Sequence, residues 1–120
     1  MATALIVEDV QTDLLILTSY LEAAGCRVVA AIDGESALSH LSTNKPDIVF
    51  LDVVLPGRSG FEICREIKSQ SETQKIPVVM CSTKNTDLDR FWGLKQGADF
   101  YLTKPVDRSD LLAALKKLIE

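Results

Sequence analysis

The chain has 120 residues, 47% apolar and 25% charged, with 17 acids against 13 bases and a net charge of −4. That length fits one domain, residues 1–120, with a core large enough to fold alone, and the composition is that of an ordinary soluble globular protein. The acidic balance excludes a nucleic-acid or anionic-membrane surface, which needs a basic patch, and no apolar run approaches the roughly 18 residues of a membrane span.

Met1-Ala2-Thr3 leads straight into a strand-like run, so no signal peptide is expected and the expected location is cytoplasmic. Ala4–Val7 is the first predicted strand. Leu14, Leu17, Leu21 and Ala24 then recur at helical spacing, and Gly25 ends that helix as a left-handed cap. Arg27–Ala31 is a second strand, and Asp33 caps a helix whose inner face is Ala37, Leu38 and Leu41. Ile48–Leu51 is a continuous β-rich run, the mark of a strand covered on both faces. Ser59-x-x-Glu62 is a capping box opening a third helix with Phe61, Cys64 and Ile67 inward. Pro77 opens a fourth strand, Val78–Cys81. A fourth helix spans Asp87–Gln96 and stops before Gly97, with Leu88, Phe91 and Leu94 as its buried stripe. Phe100–Leu102 is the fifth strand, and Asp107 caps a last helix striped by Leu111, Leu115, Leu118 and Ile119. Strands and helices alternate over short connections. The expected fold is therefore α/β, a parallel sheet with right-handed crossovers between two layers of helices.

Cys26, Cys64 and Cys81 form no Cys-x-x-Cys pair, and His40 is the single histidine, so a structural zinc site lacks ligands. Buried thiols in a reducing compartment are expected.

Three predicted strands end in polar groups. The first runs into Glu8-Asp9, the third into Asp52, and the fifth into Lys104-Pro105. A carboxylate at the tip of a buried strand is costly unless paired. Together these tips predict one polar site at the carboxyl edge of the sheet, where open α/β folds bind ligands. Two carboxylates about 4 Å apart repel by roughly 4 kcal/mol at an effective dielectric of 20. Three acids therefore need cations. Lys104 supplies one, and a hard ion such as Mg²⁺ suits a site of few carboxylates and several waters. Ser82 adds a hydroxyl at the same edge. Cation, lysine and hydroxyl are what holding a phosphoryl group in transfer requires, which makes Asp52 the candidate nucleophile, forming an acyl phosphate.

Glu8-Asp9, Asp52 followed by Pro56-Gly57, Ser82 and Lys104-Pro105 resemble the motif set of the receiver domain of two-component response regulators, along essentially the whole chain. The resemblance implies a flavodoxin-like five-stranded sheet of order 2-1-3-4-5. It also implies that Asp52 accepts a phosphoryl group from the phosphohistidine of a histidine kinase. Asp9, Asp52 and the backbone carbonyl of Val54 would ligate Mg²⁺, with Glu8 acting through a bound water. Ser82 and Lys104 would contact the phosphoryl oxygens, and Lys104-Pro105 would be a cis peptide. Tyr101 falls at the switch aromatic, turning inward as Ser82 moves toward the phosphate; a half-buried strand tyrosine is the alternative there. Val54, two residues past Asp52, and Lys84, two past Ser82, fall where family side chains gate water. An apolar Val54 points to slow hydrolysis, while Lys84 leaves this open.

Cys81–Asn85 with Phe91–Ala98 looks like the stand-alone receivers of type IV pilus chemosensory systems, in twitching motility and phototaxis, which pair with chemotaxis-type histidine kinases. With no output domain expected, signalling would pass to a downstream protein target. Trp92 lies about 100° around the helix from the apolar stripe, either packing on a flank or touching a partner. The chemistry expected is phosphorylation and dephosphorylation of Asp52 itself. Two rivals remain. One is an aspartyl-phosphate hydrolase, although haloacid-dehalogenase-like enzymes carry Asp-x-Asp after the first strand, and here Val54 follows Asp52. The other is a degenerate receiver that only binds a partner, although no residue needed for phosphorylation is missing.

Overall fold

The computed structural model describes residues 1–119. Its elements run β1 (Thr3–Val7), α1 (Gln11–Ala23), β2 (Arg27–Ala31), α2 (Gly34–Thr43), β3 (Ile48–Asp52), α3 (Gly60–Ser69), β4 (Val78–Ser82), α4 (Asp87–Lys95), β5 (Phe100–Thr103) and α5 (Arg108–Ile119). The strands form one parallel sheet of order β2-β1-β3-β4-β5.

Strand periodicity divides the core in two, because successive side chains point to opposite faces. Leu5, Val7, Val49, Leu51, Val78 and Met80 meet α2 and α3 through Ala37, Leu41, Ile63, Cys64 and Ile67. Ala4, Ile6, Ile48, Phe50, Val79 and Cys81 meet α1 and α5 through Leu17, Leu21, Leu111, Ala114 and Leu115. Every residue of β3 and β4 is buried, as expected for strands covered on both faces.

The caps follow side-chain chemistry. Asp33 Oδ1 accepts from the Ser36 N–H at 2.8 Å at the start of α2, and Gly25 follows α1 with φ +91°. At α3 only half of the expected capping box forms. Ser59 Oγ accepts from Glu62 N at 3.3 Å, while the Glu62 carboxylate turns to Arg58, 3.7 Å away. The reciprocal box sits at α4 instead, between Thr86 and Asp89. Phe61 is half-buried and Ile63 takes the inward place beside Cys64 and Ile67, while Ala24 is exposed beyond the end of α1.

The expectation for α4 is corrected. Leu88, Phe91 and Leu94 do form a stripe, but it faces outward, at 72%, 58% and 51% exposure, and Trp92 is 49% exposed. The one buried residue of α4 is Gly93. A Cβ there would lie 2.9 Å from the Tyr101 ring, so the helix backbone rests directly on β5. Helical periodicity shows that a stripe exists, not which side the sheet occupies.

All three cysteines are free and buried. Burial pushes the Cys64 thiol up to about 11 and the Cys81 thiol higher still, and the thiolate is the reactive form. At about pH 8 the folded protein should therefore resist iodoacetamide at both positions and react only in denaturant, read by peptide mass spectrometry; rapid labelling of the native state at either residue would contradict this packing.

Candidate functional site

The carboxyl ends of β1, β3, β4 and β5 converge, because all strands run the same way. Glu8 and Asp9 directly follow β1, Asp52 ends β3, Ser82 ends β4, and Lys104 follows β5. Carboxylate oxygens of Glu8, Asp9 and Asp52 all lie within 4.8 Å of one another. Glu8, Asp52 and Ser82 are buried, and Asp9 is exposed at the mouth. Asp52 sits opposite Cys81 in register, one residue before Ser82, so its carboxyl and the Ser82 hydroxyl belong to neighbouring strand tips.

Lys104 crosses this edge. Its Nζ donates to Glu8 Oε1 at 2.5 Å, Asp13 Oδ2 at 3.0 Å and Asp52 Oδ2 at 3.2 Å. Its backbone N–H donates to the Ser82 carbonyl, and the Lys104-Pro105 peptide is cis. Burial disfavours the ammonium, but the bonds to Glu8 and Asp13 and the charge of Asp52 outweigh it and hold its pKa above the ordinary lysine range. The pKa of Glu8 is raised as well, which for a carboxyl disfavours the charged form. Burial raises its pKa, and the bonds from Lys104 and the Val10 N–H only partly offset that.

The loop after β3 shapes the remaining wall. Asp52 Oδ1 accepts from the Val54 N–H at 3.3 Å, and the apolar Val54 side chain is exposed at the rim. Gly57 turns the loop at φ +77°, and the Gly60 N–H returns to the Val53 carbonyl at 2.8 Å. A Cβ on Gly60 would stand 2.0 Å from the Asp52 carbonyl oxygen, so α3 starts this close to the acid only because residue 60 is glycine.

Ser82 and Tyr101 hold the same residue from two sides. The Lys84 N–H donates to Ser82 Oγ at 3.1 Å, and the Tyr101 hydroxyl donates to the Lys84 carbonyl at 2.7 Å. The Tyr101 ring is buried against Gly93, with the Arg90 guanidinium 5.6 Å from its centroid. The ring is thus turned in, the position the resemblance assigns to the switched state. Trp92 is not part of the acidic cluster; it lies on the outer face of α4.

Two contributors escaped the sequence reading. Asp13 lies in the first turn of α1, four residues after Asp9, and its link to Lys104 spans 91 positions. Its signal was the helical i, i+4 spacing of two acids at a strand-to-helix turn. Gly60 carried no signal beyond following the Ser59 cap.

The geometry has counterparts in known proteins. Residues 4–116 match the family described as response regulator receiver domain. The chain belongs to that family. It is 40% identical to Protein PilH of Pseudomonas aeruginosa over 119 residues, 99% of this chain and 98% of that protein. Chemotaxis protein CheY4 of Vibrio cholerae superposes with a TM-score of 0.91 at 29% identity, covering 99% of both chains. The receiver domain of the sensor histidine kinase PA1611 of P. aeruginosa superposes at 0.90 with 28% identity, covering 98% of this chain and 97% of that one, and carries a coordinated magnesium ion in its active site cleft. This chain is accordingly a receiver of a two-component response regulator with the flavodoxin-like fold. No described helix is long and apolar enough to cross a membrane.

Two outcomes follow from the site geometry. Gly60→Ala must push the Asp52 carbonyl aside, so it should lower unfolding free energy by about 1–3 kcal/mol in denaturant titration, and unchanged stability would contradict the close approach. A cation bound among ionised acids stabilises the native state by mass action. Because the folded Glu8 keeps its proton to higher pH than a free glutamate, millimolar Mg²⁺ should raise the melting temperature more near pH 7.5 than near pH 5.

Proposed function

We propose that this receiver accepts a phosphoryl group on Asp52 from the phosphohistidine of a chemotaxis-type histidine kinase, with Glu8, Asp9, Asp52 and the Val54 carbonyl serving a Mg²⁺ site. The observation that carries this reading is the buried Asp52 carboxylate held at a strand tip by the Lys104 ammonium, 3.2 Å away. In the transfer, an Asp52 oxygen attacks phosphorus and forms a P–O bond. The P–N bond breaks, and the imidazole nitrogen keeps its electron pair and takes up a proton. The donor set of three close carboxylates fits a hard cation, and Mg²⁺ when bound neutralises charge on the phosphoryl oxygens. Lys104 supplies a positive charge to the same oxygens, and Ser82 supplies a hydroxyl donor.

Output runs through the Lys84 backbone. Ser82 drawn toward a phosphoryl oxygen pulls on the Lys84 N–H that it accepts from, and the Lys84 carbonyl holds the Tyr101 hydroxyl. Tyr101 supports α4 through Gly93, so the exposed face of Leu88, Phe91, Trp92 and Leu94 is the surface that changes and meets a downstream protein. Location in the cytoplasm and a place in type IV pilus motility or phototaxis are the readings favoured by the segments Cys81–Asn85 and Phe91–Ala98 and by the likeness to Protein PilH. The exposed valine at position 54 favours a long-lived acyl phosphate.

Asp52→Asn keeps shape but removes the nucleophilic oxygen, so it should fold as the parent and take no label from a phosphorylated kinase; full labelling of that variant would sink the assignment. Beryllofluoride with Mg²⁺ should shift the amides of Lys84, Gly93, Tyr101 and Trp92, and Ser82→Ala should still be phosphorylated, though more slowly, while blunting those distant shifts. Changes confined to the loops around Asp52 would show that the α4 face is not the output surface.

A further inference from the structure

A lysine ammonium has three N–H donors. In this structure all three are taken, by Glu8, Asp13 and Asp52. If Lys104 is to hold a phosphoryl oxygen on Asp52, one of these partners must let go. The three are not equivalent. Glu8 is buried, its other oxygen already accepts from the Val10 N–H, and its bond to Lys104 is the shortest and most enclosed of the three. Asp52 carries the incoming group, and Lys104 must stay beside it. The Asp13 side chain is 33% exposed and sits in the first turn of α1, where water and the positive end of the helix dipole stabilise a carboxylate without lysine.

We infer that Asp13 is a positioning residue that tethers Lys104 in the unphosphorylated protein, and that release of the Lys104–Asp13 ion pair is the step that frees a donor for the phosphoryl group. This rests on Asp52 being the phosphoryl acceptor. The tether opposes phosphorylation, so removing its charge favours the phosphorylated state. A partly exposed ion pair of this kind gives a change of roughly two- to five-fold.

The test follows phosphorylation by phosphoramidate with saturating Mg²⁺, read by intact mass, in the parent, Asp13→Asn and Asp13→Glu. Thermal melts confirm that each variant is folded. Asp13→Asn should reach half-phosphorylation at a donor concentration roughly two- to five-fold lower than the parent, and Asp13→Glu should restore parent behaviour. The same comparison at high salt separates a tether from diffuse repulsion of an anionic donor. A close, partly buried pair is screened little, whereas repulsion at a distance is screened strongly. An Asp13→Asn advantage that persists in high salt supports the tether. An advantage that vanishes in salt, equal behaviour, or slower phosphorylation of Asp13→Asn would each overturn it while leaving Asp52 as the acceptor. A parent that takes no phosphoryl group would overturn both readings.

Discussion

The Lys104 ammonium holds the carboxyl edge of this sheet together. Carboxylates that converge as Glu8, Asp9 and Asp52 do repel one another by several kcal/mol per close pair. Two of the three are buried, where water cannot screen them. One cation bonded to Glu8 and Asp52 offsets that repulsion at the bottom of the cleft. The same bonds tie the end of β5 to the ends of β1 and β3, and through Asp13 to the start of α1. Stability and chemistry thus share one group, and any ligand that recruits Lys104 acts on four elements together.

Below that edge the molecule is built not to move. β3 and β4 are buried along their whole length, and their side chains alternate between two separate apolar clusters. Close-packed cores of this kind transmit strain rather than absorb it. A change of charge at Asp52, as proposed, would therefore be expressed in the loops that leave the strand tips and in the element least committed to the core.

That element is α4. Its four large apolar side chains face solvent, and its buried residue is a glycine lying on the Tyr101 ring. Little apolar area holds it down, so shifting it costs less than shifting α3 or α5, whose inward faces are fully buried. The Lys84 backbone, bonded to Ser82 on one side and Tyr101 on the other, joins this loosely held helix to the site. Apolar exposure of this extent on a helix suits partner binding.

Much of this was legible in the sequence. Short continuous apolar runs alternating with amphipathic stretches over short connections determined the parallel α/β sheet, because only right-handed crossovers fit such connections. Acids and a lysine placed at strand ends determined the site, because parallel strands bring all their carboxyl ends to one edge. The tertiary structure decided three things that no local pattern encodes. It turned the stripe of Leu88, Phe91 and Leu94 outward, since periodicity is the same whichever side the sheet lies on. It brought Asp13 to Lys104 across 91 positions, since a helix carboxylate finds its partner only when the sheet is assembled. It also required glycine at 60 and 93, since the nearness of one backbone to another chain segment exists only in the folded protein.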